Sequence, residues 1–276
     1  MKNKKLFSFF KRGDRKTQIG KKSSVNAEDL NLENFPEKNS ENELIPDNNL
    51  VALLSPYSFE AEQFRILRTQ ILFPGSGTPP RTILVTSAIP DEGKSFVSSN
   101  LAICIAHNID NHVLLMDCDI RRPSIHKIFG FPQDVRGLSE YLAGDEPLSS
   151  MLLKTMTKNL SVLPGGQPPP NPSELLSSEK MSQLLSSIKK RYNDRYIIID
   201  SPPPQLTAET SVIARQVDGI IVVVRHGLTS KKLVAELVET LGKEKILGVV
   251  FNCFDMHISS YNSRRYSKYY NQKGRK

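Results

Sequence analysis

Short apolar runs alternate with longer amphipathic stretches along most of this chain. An apolar run without polar alternation is typical of a β-strand that is buried on both faces. The stretch that follows the first run, residues 94–107, is predicted to be a helix. Strands of this kind that alternate with helices predict an α/β fold, with a parallel sheet flanked by helices. Five runs predict strands, at residues 82–87, 113–117, 196–200, 219–225 and 246–252.

A further helix is predicted over residues 58–72, ahead of the first strand. Phe64, Leu67 and Ile71 fall on one stripe of such a helix, and the Pro/Gly-rich residues 74–80 end it. Another face carries charge at intervals of three residues, at Glu62, Arg65 and Arg68.

The Pro-rich stretch 164–172 has the composition of an interdomain linker. It leads directly into a helix start, because Asn171 suits the N-cap and Pro172 the first helical position. The strand at 196–200 must join the same sheet for its acid to reach the site described below. We therefore interpret the stretch as an ordered loop within one domain.

Charge divides the chain into parts. Residues 1–22 have a net charge of +8, residues 23–49 of −6, and the last 16 residues of +6, so the remainder is balanced. A nucleic-acid binder would carry Lys and Arg across its folded domain, so this balance disfavours nucleic acid as a partner. We predict a basic then acidic flexible extension at 1–49, a single folded domain at 50–260 and a tail at 261–276.

Composition also bears on location. No apolar run approaches the roughly 18 to 20 residues of a membrane span, and the apolar part of the first residues is too short for a secretory signal. The cysteines Cys104, Cys118 and Cys253 show no paired spacing and are typical of reduced buried thiols. We therefore expect a cytoplasmic protein. Residues 1–12 mix basic residues with Phe and Leu. This composition suits contact with an anionic membrane surface, such as the inner face of the plasma membrane. It suits a disordered leader equally well.

Residues 88–95 read A-x-x-x-x-G-K-S, one residue away from the usual phosphate-binding loop G-x-x-x-x-G-K-[ST]. The predicted strand before it and helix after it supply the required context, since N–H groups at the helix N-terminus point toward a phosphate. Gly93 allows close backbone approach, Lys94 reaches the β- and γ-phosphates, and the Ser95 hydroxyl can ligate Mg²⁺. The loop predicts a nucleotide site.

Three acidic residues end or follow buried strands. Asp117 and Asp119 are two apart, so strand alternation puts both on one side, and Asp200 ends another strand. Ligands of open α/β sheets bind outside the carboxyl ends of the strands, so these acids and the loop should share one crevice. A single strand-terminal Asp is as often a helix cap or turn former, but three beside a phosphate loop favour a site. Asn252, which ends the last strand, is predicted to lie near an adenine.

These motifs resemble those of the bacterial tyrosine kinases of capsule and exopolysaccharide synthesis, over roughly residues 55–276. The resemblance rests on EGKS, LLMDCDIRRP, IIIDSPP, LPGGQPPPNPSELL, an E-x-x-R-x-x-R helix and a tyrosine-rich tail. It implies a P-loop NTPase-like domain that binds ATP and Mg²⁺ and phosphorylates the tail of a neighbouring subunit and other protein substrates. It also implies a ring of subunits, activated by a transmembrane polysaccharide copolymerase that is separate from this chain. Residues 1–50 match no motif of the family.

Motif chemistry and resemblance together assign candidate roles. Lys94 and the loop amides would neutralise the transferring phosphoryl group, and by resemblance Asp117 is the expected base for the tyrosine hydroxyl. The predicted metal ligands are Ser95, Asp119 and Asp200. The predicted catalytic residues are Lys94, Asp117, Asp119 and Asp200, and by resemblance Glu62, Arg65 and Arg68 are the oligomerisation residues. The predicted nucleotide contacts are Pro90, Asp91, Glu92, Gly93, Lys94, Ser95, Phe96 and Asn252. Arg121 and Arg122 suit phosphate or interface contacts and solvated surface positions equally well.

The last 16 residues hold four tyrosines among six basic residues. A disordered charged end is common, but such segments are usually poor in aromatic residues. Each phosphate would add about −1.5 to −2 charge, which we expect to weaken an electrostatic dock between subunits and loosen the ring. The expected autophosphorylation sites are Tyr261, Tyr266, Tyr269 and Tyr270.

Two other functions share the predicted fold. A partitioning-type ATPase switch would hydrolyse ATP without phosphorylating protein, but such proteins carry an extra lysine five residues before the loop lysine, where this chain has Ile89. A catalytically weak interaction module that regulates polymer export would bind ATP without turnover.

Overall fold

The computed structural model describes residues 5–9, 45–191, 195–205 and 207–254. Its strands are β1 (Lys5–Phe9), β2 (Thr82–Ser87), β3 (His112–Asp117), β4 (Leu153–Lys154), β5 (Leu160–Leu163), β6 (Arg195–Asp200), β7 (Gly219–Arg225) and β8 (Ile246–Asn252). They form one eight-stranded sheet in the order β1-β8-β7-β2-β6-β3-β5-β4. Neighbouring strands are parallel except β4 and β5, which pair antiparallel. The predicted α/β fold with a mostly parallel sheet is confirmed.

Helices connect the strands and cover both faces of the sheet. They are α1 (Val51–Leu54), α2 (Phe59–Leu72), α3 (Lys94–Ala106), α4 (Ile125–Ile128), α5 (Leu138–Ala143), α6 (Pro172–Leu176), α7 (Glu179–Arg191), α8 (Ala208–Gln216) and α9 (Lys231–Leu241). Short 3₁₀ turns lie at Leu148–Met151 and Lys243–Lys245. Within these described ranges, no helix combines the length and the apolar character needed to cross a bilayer.

Two hydrophobic cores form because successive strand residues point to opposite faces of the sheet. Ile83 and Val85 of β2 face the core built with α1 to α4, and Leu84 between them faces the core built with α5 to α9. All three residues are fully buried. Burial on both faces is why the central strands read as continuous apolar runs rather than as an alternating pattern.

The predicted strands are confirmed to within one residue at each end, and the helix predicted over 58–72 is α2. Strand β5 was not predicted, because its four residues merge with the Pro-rich stretch that follows. Two backbone hydrogen bonds join that stretch to the start of α5: Pro164 O accepts the Leu138 N–H at 2.8 Å and Gly165 O accepts the Ser139 N–H at 3.1 Å. Asn171 is the N-cap of α6, although its side chain makes no capping bond.

Part of the predicted N-terminal extension lies within the fold. Strand β1 pairs in parallel with β8, with Lys5 opposite Gly248 and Phe9 opposite Asn252. The chain before α1 is also held, since the Asp47 N–H donates to Ile128 O at 3.0 Å. The prediction for 1–49 included neither contact, because the five residues of β1 are too few for a periodic signal and sit in a basic, aromatic composition.

Candidate active site

The phosphate loop joins the carboxyl end of β2 to the start of α3. Its backbone leaves the usual conformations at two residues, since φ is +59° at Asp91 and +90° at Gly93. A left-handed conformation at an aspartate is uncommon and indicates a backbone that its surroundings hold in place. Gly93 is the N-cap of α3, so the first N–H groups of the helix open onto the loop. This is the arrangement that binds phosphate.

Glu92 stabilises the phosphate loop from its buried side. Its side chain is fully buried, and Oε2 accepts the N–H groups of Ala88 at 3.0 Å and Ile89 at 3.2 Å. Oε1 accepts the Arg225 N–H at 2.8 Å and the Thr229 hydroxyl. One carboxylate therefore ties both the start of the loop and the end of β7, and its side chain serves loop geometry.

Asn252 contacts the other end of the loop. Its Nδ2 donates to Glu92 O at 2.8 Å, and its Oδ1 accepts the Cys253 N–H at 3.0 Å. A Cβ atom on Gly93 would lie 1.9 Å from this Nδ2, so only glycine fits. Asn252 was predicted to lie near an adenine; the structure places its carboxamide against the phosphate loop, and the adenine contact stays a prediction.

The predicted catalytic groups come together at the carboxyl ends of β2, β3 and β6. Lys94 is only 7% exposed, and its positive charge is the largest of the effects that lower the pKa values of Asp119 and Asp200. Burial outweighs this effect in each case, so the pKa of Asp119 is raised and that of Asp200 is raised to about 6. The site therefore holds one ammonium among carboxyls that are costly to keep ionised.

Asp117 is fully buried and strongly hydrogen-bonded. Its Oδ2 accepts the N–H groups of Ser124 at 2.9 Å and Ile125 at 3.0 Å, and its Oδ1 accepts the Asp119 N–H at 3.2 Å. The bonds from Ile125 and Ser124 lower the pKa of the Asp117 carboxyl. Burial and the neighbouring charge of Asp200 raise it by more, so the pKa lies well above its usual value. Asp117 is thus both the anchor of the turn before α4 and a carboxyl of raised basicity.

Asp200 has a different environment. Neither of its buried carboxylate oxygens has a hydrogen-bonding partner among the described residues. Ser95 and Ser98 lie near enough to lower its pKa. The Ser98 hydroxyl donates to Lys94 O at 2.8 Å, whereas Ser95 Oγ accepts the Ser124 hydroxyl at 2.9 Å. A buried carboxylate without partners is costly unless a cation or water meets it.

The side-chain oxygens at this site suit Mg²⁺. The ion prefers oxygen ligands and is usually held by one or two carboxylates together with substrate phosphates and water. Ser95, Asp119 and Asp200 offer such oxygens beside the phosphate loop. No cluster of three or more His, Cys, Asp or Glu side chains suited to a metal occurs in the described ranges.

Other predicted site residues fall into separate places. Phe96 faces the core, where its ring meets Phe64 edge-on at 5.6 Å between centroids, so only its backbone can face the loop. Pro90 is half-buried and Asp91 exposed on the loop. The four tail tyrosines lie outside the described residues.

The charged face of α2 is engaged within the chain. Arg65 pairs with Glu62 at 2.6 Å and donates to Pro56 O, also at 2.6 Å. Arg68 donates to Cys104 O at 3.1 Å, in the last turn of α3. These side chains remain half-buried on the surface, so their internal contacts and an interface role are compatible.

The structure adds contacts near the site that the sequence did not predict. Arg121 pairs with the buried Glu209 at 2.7 Å and donates to Ser173 Oγ at 2.8 Å, which joins the segment after Asp119 to α6 and α8. Ser124 contacts both Ser95 and Asp117. No sequence spacing signals these contacts, because each partner lies in a different loop or helix.

Comparison with known proteins identifies the family. A family described as "ParA: NUBPL iron-transfer P-loop NTPase" matches residues 79–276. Tyrosine-protein kinase YwqD of Bacillus subtilis (strain 168) is 35% identical over 206 residues, which cover 74% of this chain and 85% of YwqD. Tyrosine-protein kinase etk of Escherichia coli (strain K12) is 36% identical over 204 residues, but the matched part spans only 28% of it.

Solved structures agree with this assignment. The kinase domain of Escherichia coli tyrosine kinase ETK superposes with a TM-score of 0.69 at 34% identity, over 78% of this chain and 84% of that domain. The septum site-determining protein MinD of Pyrococcus horikoshii OT3, complexed with Mg-ADP, reaches a TM-score of 0.53 at 20% identity, over 67% of this chain and 76% of MinD. The latter similarity is one of fold alone. The chain belongs to the bacterial tyrosine-protein kinases, within the ParA-type P-loop NTPases.

Proposed function

We propose that this kinase uses ATP and Mg²⁺ to phosphorylate the tyrosine cluster Tyr261, Tyr266, Tyr269 and Tyr270 of a neighbouring copy. The observation that carries the proposal is the buried carboxylate of Asp200, which has no partner in the described residues and lies on β6 beside the strand that leads into the phosphate loop. Such an arrangement suits a nucleotide–metal complex better than an empty crevice. Family membership supplies tyrosine as the acceptor.

The residues of the chain divide the chemistry among them. Lys94 and the amides at the start of α3 stabilise negative charge on the transferring phosphoryl group, where most catalysis of such transfers resides. Ser95, Asp119 and Asp200 would hold Mg²⁺, which supplies further positive charge at the phosphate oxygens when bound. Asp117 would accept the proton of the tyrosine hydroxyl, and its raised pKa makes it a better acceptor than an ordinary aspartate.

The biological setting follows by extension from the family. We infer a ring assembled through Glu62, Arg65 and Arg68, with a transmembrane polysaccharide copolymerase as activator and control of capsule or exopolysaccharide polymerisation and export as the role. The protein would work in the cytoplasm at the inner face of the plasma membrane, with residues 1–12 as a surface contact. Other protein substrates belong to the same proposal.

Phosphosite mass spectrometry after incubation with ATP and Mg²⁺ tests the proposal. Purified full chain would be assayed alone and with candidate copolymerases, beside Lys94→Met and a matched Lys232→Met, whose lysine is 84% exposed and distant in sequence from the loop. We expect phosphate on the four tail tyrosines in the wild type and in Lys232→Met, and none in Lys94→Met.

An ATPase switch is the competing function. Ile89 stands where such switches carry a second lysine, and its N–H is bound by Glu92 in the loop. Hydrolysis of ATP that depends on Lys94, together with an unmodified tail under every condition, would replace the kinase proposal with this one. Binding of ATP without any turnover would favour an interaction module.

A further inference from the structure

We propose that Glu209 is a positioning residue that keeps the Arg121 guanidinium away from Asp119 and so leaves the Asp119 carboxylate open to the divalent cation. The inference rests on the proposed function, since it concerns the cation of the same site. Neither Glu209 nor Arg121 has a role in the chemistry described above. Glu209 lies in the first turn of α8, and Arg121 follows Asp119 by two residues.

Glu209 is buried more completely than most ionisable side chains. It is only 1% exposed, and its Oε1 accepts hydrogen bonds from Arg121 Nε at 3.1 Å and Arg121 Nη2 at 2.7 Å. Its Oε2 is buried and has no hydrogen-bonding partner among the described residues. A buried carboxylate is costly unless a cation pairs with it, so Glu209 binds the Arg121 guanidinium strongly.

Arg121 is held by a second contact as well. Its Nη2 also donates to Ser173 Oγ at 2.8 Å, so one guanidinium contacts both α6 and α8. The Arg121 side chain is 43% exposed. An arginine with this exposure has many accessible rotamers, and a charge-assisted pair with fixed geometry selects one of them. The selected rotamer directs the guanidinium toward Glu209 and Ser173.

Asp119 is the acid closest to Arg121 along the chain. The two residues take the first and third positions of a turn, in which the Arg122 N–H donates to Asp119 O at 3.0 Å and to Asp119 Oδ1 at 3.1 Å. Burial raises the pKa of Asp119, and the charge of Arg121 is among the effects that lower it. The two side chains therefore interact even in the held position. Without Glu209, the guanidinium would turn to Asp119 and pair with it.

An unpaired Arg121 would oppose a divalent cation in two ways. It would occupy a carboxylate oxygen that the cation needs, and its charge would repel the cation. Glu209 prevents both effects, because it binds the guanidinium and neutralises its charge. An added positive charge would not weaken the attraction for phosphate, however. Loss of the Glu209 charge should therefore weaken binding of Mg²⁺ without weakening metal-free binding of ADP.

Neutral substitutions separate the charge of the pair from its shape. Glu209→Gln keeps the size of the side chain and leaves the Arg121 charge uncompensated. The double variant Arg121→Gln/Glu209→Gln removes both charges, so no competing cation remains. Glu236→Gln is the matched control, because it removes the same charge from a surface pair, in which Glu236 is 49% exposed and lies 3.7 Å from Lys232.

The experiment measures binding of a fluorescent ADP analogue to the purified full chain, first with EDTA and then over a Mg²⁺ titration. For Glu209→Gln we expect metal-free affinity at least equal to that of the wild type, and a Mg²⁺ midpoint raised roughly 10-fold, near the lower end of the effect of removing an outer partner. The double variant should regain most of the Mg²⁺ affinity, and Glu236→Gln should match the wild type.

Other outcomes overturn the inference. An unchanged Mg²⁺ midpoint in Glu209→Gln would show that the guanidinium does not compete with the cation. A double variant as impaired as Glu209→Gln would show that the pair only links the turn to α8. Weaker ADP binding with and without Mg²⁺ would indicate general damage to the site instead. The readout does not depend on tyrosine phosphorylation, so the expected Mg²⁺ shifts with an unmodified tail would contradict the kinase proposal while leaving this one standing.

Discussion

Gly93 illustrates how one residue can be fixed by two independent constraints. Its φ of +90° is strained for any L side chain, and a Cβ atom would meet Asn252 Nδ2 at 1.9 Å. We expect Gly93→Ala to abolish nucleotide binding, because the loop must move either away from Asn252 or out of its phosphate-binding conformation. Isothermal titration with ADP and Mg²⁺ measures the loss.

Gly77 provides the matched control for this substitution. Its φ of +80° is similar, but open space surrounds the position of a Cβ atom. Gly77→Ala should therefore show backbone strain alone, with a stability loss of about 1 to 2 kcal/mol and wild-type ADP binding. Wild-type affinity in Gly93→Ala would mean that the contact between the loop and Asn252 does not constrain the site.

Asp200 is expected to reduce the stability of the metal-free protein at neutral pH. Burial raises its pKa to about 6, although Lys94 acts in the opposite direction. The folded state therefore binds this proton more tightly than the unfolded state, in which the pKa is about 3.9. The associated stability is lost as the pH rises from about 4 to 6, up to roughly 3 kcal/mol.

Asp200→Asn should remove this penalty. We expect the metal-free variant to be more stable than the wild type at pH 7.5 by about 1 to 3 kcal/mol, with a smaller difference at pH 5. Stabilisation by ADP with Mg²⁺ should be lost at the same time. Urea unfolding at both pH values measures this, and a metal-free variant less stable than the wild type at pH 7.5 would contradict the assigned pKa direction.

At the scale of residues, the candidate catalytic residues were easier to predict than the residues that hold the phosphate loop in place. Lys94, Asp117 and Asp200 could be predicted to meet because each lies where a buried strand ends or a phosphate loop closes. The roles of Glu92 and Asn252 could not, because Glu92 also accepts from Arg225 and Thr229, and these contacts and the bond from Asn252 join distant parts of the chain. The bond from Asn252 to Glu92 spans 160 positions, and no local pattern reports it.

At the scale of elements, α2 is attached to α3 through Arg68. Its guanidinium donates to Cys104 O in the last turn of α3, where unpaired carbonyls and the helix dipole favour a cation. Arg68→Ala should therefore destabilise even the monomer, by about 1 to 2 kcal/mol. Urea unfolding at concentrations shown by light scattering to be monomeric isolates this effect from assembly.

Lys232→Ala is the control for that measurement. Its lysine is 84% exposed and lies 3.7 Å from Glu236 one turn away, so the loss should stay below about 0.5 kcal/mol. If Arg68→Ala abolished assembly but left the monomer as stable as this control, the bond to Cys104 would not contribute to the stability of the monomer. Arg68 would then act only between subunits.

Elements differ in how far the sequence predicts them. The central strands were recovered because burial on both faces leaves a continuous apolar run. Strands β1 and β5 were missed, because their five and four residues are too few to show a hydrophobic pattern. Each is positioned by pairing with a neighbouring strand.

At the scale of the whole molecule, we expect the charge of the tail to affect the proposed assembly. The last 16 residues carry six basic residues and no acid, whereas the folded centre is balanced. Phosphate on the four tyrosines would add about −6 to −8, which cancels or reverses the charge of the tail. An electrostatic dock between a basic tail and a neighbouring subunit would weaken, so the ring should loosen as phosphorylation proceeds.

Native mass spectrometry of graded phosphoforms tests this directly. We expect the proportion of assembled ring to fall with each phosphate, and the fall to be smaller at high salt, because screening already weakens the unphosphorylated dock. A variant with Phe at the four tail positions should stay assembled in ATP, since it keeps the basic residues and offers no acceptor. The same oligomer at every level of phosphorylation would show that the tail does not dock through charge, and that any control of assembly lies in α2 or the nucleotide site.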